Sequence, residues 1–448
     1  MSIIPKIAKA MQTILTTNAD KRAEDVGLIK RQRKFSGSTF AQTLVFGWLS
    51  KPDATLNDLT QTAADLGVTV SPQGLDKRFT YQAAEFLKLI LEDTVGTLIS
   101  ADPVAIPILQ RFHGVYIKDS SIVMLPDELH DTWQGCGGRV MKNTRASAKI
   151  QLRVNMNTGK LDGPHLTAGR AQDKSSCFQE EHPPAGSLEI FDLGYFSLKV
   201  MEDMSNQGVF WLSRIHTQCD IYHQGERWDL VEYLQCHCTH ELDALILLGV
   251  RAKLPCRLLA VRVPDKVARE RRRKIRAEYK REGKTPSKRQ LALTNWTILV
   301  TSVPCEQLTL EEAFALKRIR WQIELIFKLW KDQGSIDEWR TQNPMRILCE
   351  FYAKLVAMII QHWIILSGCW HLPDRSMHKA AKVIRDYAKH LAISFATGSP
   401  KRLCEALSII QNRLAVACRM NSRRKKPNTY QLLLQCINLR GKYCKSMS

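Results

Sequence analysis

Three acidic residues and the cations around one of them carry the chemistry legible in this 448-residue chain. Asp119 sits in the middle of GVYIKDSSIVMLP, an otherwise apolar run that reads as a strand. An unpaired carboxylate there would be costly to bury, so something must compensate it, and a bound cation is one answer. Asp192 ends a second strand-like run beside Gly194, which begins a turn. Glu324 lies in RWQIELIFKLWK, where apolar residues recur at helical spacing. With Arg320 at the origin of a helical wheel, Glu324, Lys328 and Lys331 share a polar arc about 80° wide. Ile319, Ile323, Ile326, Phe327 and Trp330 cover the adjoining arc, so one face enters a core and the next holds a carboxylate between cations. That helix alone also fits a solvated surface element with i,i+4 ion pairs, and each acid alone fits a cap or surface group.

The elements that must position these groups follow from local pattern. Trp296 to Val303 is rich in β-branched and apolar residues and ends at Pro304, which predicts a buried strand. Thr309 with Glu312 three residues on predicts a capping box, and then the helix. Upstream, KIQLRVNM, PHLTAG and GVFWLSRIH predict further strands around Asp119 and Asp192. Periodicity alone specifies only a mixed α/β domain.

Arg320, Glu324 and Lys331 at these spacings resemble the Y-x-x-R-x-x-x-E-x-x-x-x-x-x-K signature of the DDE transposases of the insertion-sequence-four family, the hairpin-forming branch. The signature tyrosine falls at position 317, where this chain has Lys317. The resemblance implies an RNase H-like catalytic domain with Asp119, Asp192 and Glu324 as catalytic, metal-holding triad. It implies two Mg²⁺ ions per site, with Mn²⁺ able to substitute. Two divalent cations suit phosphodiester chemistry because they activate the attacking oxygen and stabilise the leaving one. Hard carboxylate ligands favour Mg²⁺ or Mn²⁺ over zinc. Arg320, Lys328 and Lys331 would meet DNA phosphates, and Trp296 resembles the tryptophan that such enzymes use around a flipped base. The activity implied is cut-and-paste transposition: terminal repeats bound, DNA cleaved through a hairpin intermediate, and 3′-OH ends joined to target DNA by a homodimer. A metal-dependent endonuclease without strand transfer, or an inactive DNA-binding descendant, are the alternatives.

The expected organisation is an α/β, RNase H-like catalytic domain in two parts, residues 106–216 and 295–345. A β-rich, basic insertion at 217–294 separates them. A helical, DNA-end-binding region covers 1–105, and a helical C-terminal region covers 346–448. In the first region, Gln73, Lys77 and Arg78 follow a turn between short helices, compatible with a helix-turn-helix or with a small bundle. Lys30, Arg31, Arg33 and Lys34 form a basic cluster upstream. In the insertion, DKVARERRRKIRAEYKREGK predicts a basic helix whose Arg271, Arg272, Arg273 and Lys274 are candidates for binding phosphates. Arg423 and Arg424 lie in a basic stretch near the C-terminus.

Charge agrees with a polyanionic partner. The formal net charge is +21, which suits nucleic acid or an anionic membrane; the resemblance implies double-stranded DNA, with no membrane and no small-molecule substrate. Thirteen cysteines without framework spacing fit reduced thiols, hence the cytoplasm, at the bacterial nucleoid. The N-terminus lacks a signal-peptide pattern, and the apolar run Leu355 to Leu366 is too short to span a bilayer. Cys236-His237-Cys238-Thr239-His240 has no second pair at zinc-finger spacing. Gly135-Cys136-Gly137-Gly138 lacks the Lys-Ser/Thr of a P-loop and reads as a flexible loop near the active site.

Overall fold

The structure, a computed structural model, describes residues 3–29, 34–135, 145–421 and 429–434. Lys30, Arg31, Arg33, the loop from Cys136 to Gly138, Arg423 and Arg424 lie outside the described residues. The chain divides into two compact units. The first comprises Met1–Ala105, Ser120–Ala171 and Gln322–Pro427, and the second Ile106–Asp119, Gln172–Trp321 and Asn428–Ser448.

Ten strands run in chain order: β1 Val115–Leu125, β2 Ala146–Asn155, β3 Leu161–Ala168, β4 Leu188–Ile190 and β5 Phe210–Ser213, then β6 Ile221–His223, β7 Glu226–Trp228, β8 Glu241–Leu248, β9 Leu254–Arg262 and β10 Trp296–Thr301. In the second unit the order is β1-β4-β5-β10-β9-β8-β6-β7. β1, β4 and β5 are parallel, whereas β10 is antiparallel to β5 and to β9. The strands of residues 217–294 therefore continue this sheet through β9 instead of forming a sheet of their own. β4 is shorter than the apolar run before Asp192 suggests, because the chain turns away after Ile190.

The first unit is mainly helical, with β2 and β3 as an antiparallel pair. Its helices start where short polar side chains can cap them. Ser36 accepts from the Thr39 N–H, and Thr55 from the Asp58 N–H, each within a capping box. At its centre lies the helix Pro344–Gly368, 25 residues long. It extends beyond the apolar run Leu355 to Leu366 at both ends, since Pro344 starts it and Asn343 caps it. Length and apolar composition would let it cross a membrane, but the whole of its most apolar window is buried inside the protein. His362 on this helix meets the Gly159 carbonyl at 2.8 Å, in the turn between β2 and β3. Gly159 has φ +69°, and a Cβ there would stand 2.3 Å from Leu366 and 2.6 Å from Trp370.

Candidate active site

Register brings the two aspartates together. β1 and β4 pair in parallel with Ile117 opposite Ile190, and Asp119 and Asp192 each follow two residues later. Asp119 is still on β1, whereas Asp192 has left β4 and caps the short turn Leu193–Tyr195, its Oδ1 accepting from the Leu193 N–H at 2.8 Å.

The compensating cation that Asp119 requires is a protein side chain. Arg320 Nη1 donates to Asp119 Oδ2 at 2.7 Å, and its Nη2 stands 3.7 Å from Asp192 Oδ2. One guanidinium thus reaches both carboxylates. Arg214 adds a second, donating to Asp192 Oδ1 from Nε at 2.9 Å and from Nη2 at 2.7 Å. Burial alone would raise the Asp192 carboxyl, but Arg214, the Leu193 N–H and Lys317 outweigh it and hold it below the usual carboxylate range.

A corner of helix delivers Arg320. Thr309 and Glu312 form the expected capping box, and the helix Leu310–Lys317 follows. Glu312 is also gripped by Arg111, with both guanidinium-to-carboxylate distances 2.8 Å, which ties this helix to the segment before β1. The sequence predicts one regular helix through Arg320 and Glu324. Instead, Arg318–Arg320 form a 3₁₀ turn, and an α-helix resumes at Trp321–Gly334. The wheel drawn from Arg320 is therefore distorted at its origin, because a 3₁₀ turn winds three residues per turn rather than 3.6. Lys317, at the signature tyrosine's position, donates from Nζ to the Phe191 carbonyl at 2.8 Å, next to Asp192. Burial pulls its ammonium down to about 7; Asp192 and Asp119 oppose that shift, and Arg320 and Arg214 add to it.

Behind β1, Lys118 points to the face opposite Asp119. Its ammonium lies 2.7 Å from Glu189 Oε2, and neither side chain is exposed at all. It also donates to the Phe178 carbonyl at 3.0 Å and lies over the Phe191 and Tyr195 rings. This pair and Arg214 were missed by sequence reasoning. A lysine inside the same apolar run as Asp119 was the available signal for Lys118; Arg214 had none.

The other candidates divide by what their side chains touch. Glu324 lies half-buried on the helix Trp321–Gly334, in the first unit. Lys331, on the same helix, donates to the Ile122 carbonyl at 3.0 Å. Lys328 is exposed, 4.0 Å from Asp332. Gln73 and Lys77 are exposed, and Arg78 stacks its guanidinium 5.7 Å from the centre of the Phe35 ring. Trp296 is a correction. Its side chain is part of the core around β8, β9 and β10, and only 6% of the residue is exposed. Arg271 and Arg272 are corrected too. Arg271 donates to the Trp296 carbonyl and to Thr297 Oγ1, each at 2.9 Å, and Arg272 to Thr294 Oγ1 and Asn295 Oδ1. Both brace the basic helix Asp265–Arg281 against the start of β10, while Arg273 and Lys274 face solvent. Of the Cys-His cluster, His237 stacks on Tyr233 with centroids 4.3 Å apart, and Cys238 is buried.

Among the described residues, no three or more His, Cys, Asp or Glu side chains are gathered closely enough to hold a metal ion. The donor chemistry of the aspartate pair nonetheless suits a hard divalent cation: two carboxylates side by side, bridged by a positive charge.

A family model described as a transposase DDE domain matches residues 110–360, more than half the chain. The transposase for insertion sequence element IS231B of Bacillus thuringiensis subsp. berliner is 30% identical over 367 residues, covering 76% of this chain and 75% of that relative. The IS231D transposase of Bacillus thuringiensis subsp. finitimus is 29% identical over 395 residues, covering 82% and 80%. The IS1151 transposase of Clostridium perfringens is 24% identical over 377 residues, covering 78% of each. Among solved structures, a piggyBac transposase synaptic complex with hairpin DNA aligns over 94% of this chain and 87% of its own, at 9% identity and a TM-score of 0.44. The mixed α/β sheet accompanied by helices is the fold class expected, and the chain belongs to the DDE transposases.

Proposed function

We propose that this transposase moves its element by cut-and-paste transposition, with Asp119, Asp192 and Glu324 as its catalytic acids. The observation that carries the reading is the aspartate pair, Asp119 on β1 and Asp192 just past the end of the parallel neighbour β4, aligned by the Ile117–Ile190 register and bridged by Arg320. Carboxylates suit phosphoryl chemistry because, through the divalent ions they hold, they can serve both the attacking and the leaving oxygen.

The residues divide the work. Asp119, Asp192 and Glu324 would hold two Mg²⁺ ions, with Mn²⁺ an effective substitute; these ions, when bound, supply Lewis acidity and an activated water. Arg320, Lys328 and Lys331 bind the phosphates flanking the cut. Gln73, Lys77 and the exposed cations of Asp265–Arg281 hold duplex DNA at the element's terminal repeats. The 3′-OH freed by the first cut attacks the opposite strand to give a hairpin, which is reopened before the end joins target DNA. A homodimer holds two ends together, in the bacterial cytoplasm at the nucleoid.

The test is incubation of the purified protein with labelled terminal-repeat duplex and a target plasmid, with and without Mg²⁺. Products resolve on native and denaturing gels. Hairpin ends and joined plasmid are expected, both lost in Asp119→Asn, Asp192→Asn and Glu324→Gln. Cut ends with no joined product would leave an endonuclease, and full activity in Asp119→Asn would remove the acids from the chemistry.

A further inference from the structure

We propose that Arg320 keeps the aspartate pair closed to divalent cations until a DNA phosphate draws its guanidinium away. This rests on the reading of Asp119 and Asp192 as metal-holding acids and concerns how their occupancy is controlled.

The guanidinium occupies oxygens of both carboxylates that would hold the ion. It is 2.7 Å from Asp119 Oδ2 and 3.7 Å from Asp192 Oδ2. A guanidinium and a divalent ion cannot share those oxygens. Both are positive, and at such separations between partly buried side chains they repel. One must leave.

Arg320 is the group built to leave. It sits in the 3₁₀ turn Arg318–Arg320, where one helix hands over to the next, and short 3₁₀ stretches of this kind mark hinges. Its side chain is 19% exposed, so a partner can reach it. By contrast, Asp192 keeps Arg214 on its other oxygen, and Lys317 remains fixed on the Phe191 carbonyl. Departure of Arg320 therefore opens the pair without stripping Asp192 of all its counter-charge.

A phosphodiester can draw it out. Two phosphate oxygens match the guanidinium fork in a bidentate pairing at least as well as a carboxylate does. Phosphate arriving at the cleft takes Arg320, and the vacated carboxylate oxygens then accept the divalent ion. DNA and metal would bind cooperatively. The enzyme alone would bind metal weakly and would not cut DNA that is not seated.

The test measures Mn²⁺ affinity of the full-length protein by the electron paramagnetic resonance signal of free Mn²⁺. A short mixed-sequence duplex is present or absent, and duplex alone is subtracted. In the wild type the duplex should tighten Mn²⁺ binding by about tenfold or more, within the range of ordinary site-to-site coupling. Arg320→Ala and Arg320→Gln should bind Mn²⁺ without duplex as tightly as the wild type does with it, and gain less than about threefold from duplex. By reciprocity, Mn²⁺ should tighten duplex binding by the same factor in the wild type alone. Equal Mn²⁺ affinity in wild type and both variants, or equal tightening by duplex in all three, would overturn the proposal. Should the variants fail to fold, a wild type whose Mn²⁺ affinity ignores duplex overturns it by itself. Asp119→Ala and Asp192→Ala separate the two levels of the argument. If Mn²⁺ binding survives both, the acids are not the metal site; if it requires both acids and ignores Arg320, only the gate is lost.

Discussion

Lys118 and Glu189 form an ion pair between parallel strands with no exposed surface on either side chain, Nζ to Oε2 at 2.7 Å. Lys118 precedes Asp119, and Glu189 lies three residues before Asp192, so the pair clamps the two strands that deliver the aspartates. Truncating one member leaves the other charge buried without its partner, a change that costs about 3–5 kcal/mol. Lys118→Met should therefore lower the thermal midpoint sharply. Adding Glu189→Leu to it should recover part of the loss, since a buried pair replaced by apolar groups is often tolerated. A double variant less stable than either single one would show that the pair is not the source of the effect.

Trp296 gives the second prediction. It belongs to the hydrophobic core at the start of β10, so Trp296→Ala should cost about 3–5 kcal/mol of stability, as large-to-small changes in cores do. Cleavage and strand transfer should fall together as the protein unfolds. A variant with wild-type stability and weakened DNA processing would return the residue to DNA.

Much of this was legible in residue pattern, and the remainder was hidden for definable reasons. Asp119 announced itself because a carboxylate in an apolar strand needs an explanation, and Thr309 with Glu312 announced the helix that follows. The meeting of Asp119 with Asp192 followed from the family resemblance and not from periodicity, since it depends on which residues of β1 and β4 pair, and parallel register is a long-range property. Trp296 illustrates the opposite difficulty: a tryptophan opening a strand can face the core or the groove, and spacing does not choose. Arg271 and Arg272 look like Arg273 in sequence. In Asp265–Arg281 cations occupy every face, so no apolar periodicity marks the inward side, and only packing against Thr294 to Thr297 reveals which arginines turn inward.

The pH dependence of stability has a source in the first unit. His362 is buried and bonded to the Gly159 carbonyl, and burial pushes its pKa below the ordinary 6.5, the carbonyl only partly opposing this. Above pH 6.5 both folded and unfolded imidazoles are neutral, so this group adds no slope. Below it the unfolded chain takes up a proton that the folded one resists, and stability falls by up to about 1.4 kcal/mol per pH unit. Thermal midpoints recorded between pH 8 and pH 5 should show that decline, and His362→Gln should flatten it. An unchanged slope in His362→Gln would place the sensitivity elsewhere.

The basic helix Asp265–Arg281 allows DNA binding and internal bracing to be told apart. Arg273 and Lys274 face solvent, whereas Arg271 and Arg272 hold β10 and its approach. Removing one cation that neutralises a phosphate should reduce the slope of log affinity against log salt by about 0.9. Arg273→Gln should therefore weaken duplex binding at low salt and shallow that slope, with the thermal midpoint unmoved. Arg271→Gln should do the reverse, lowering the midpoint because the Trp296 carbonyl and Thr297 hydroxyl lose their donor, while the salt slope of the folded protein stays as it was. Salt titrations of duplex binding by fluorescence anisotropy, with melting curves of the same samples, read both quantities. An equal change of slope for the two arginines would mean that the helix presents its braced side to DNA as well, and that Arg271 lets go of β10 when it does.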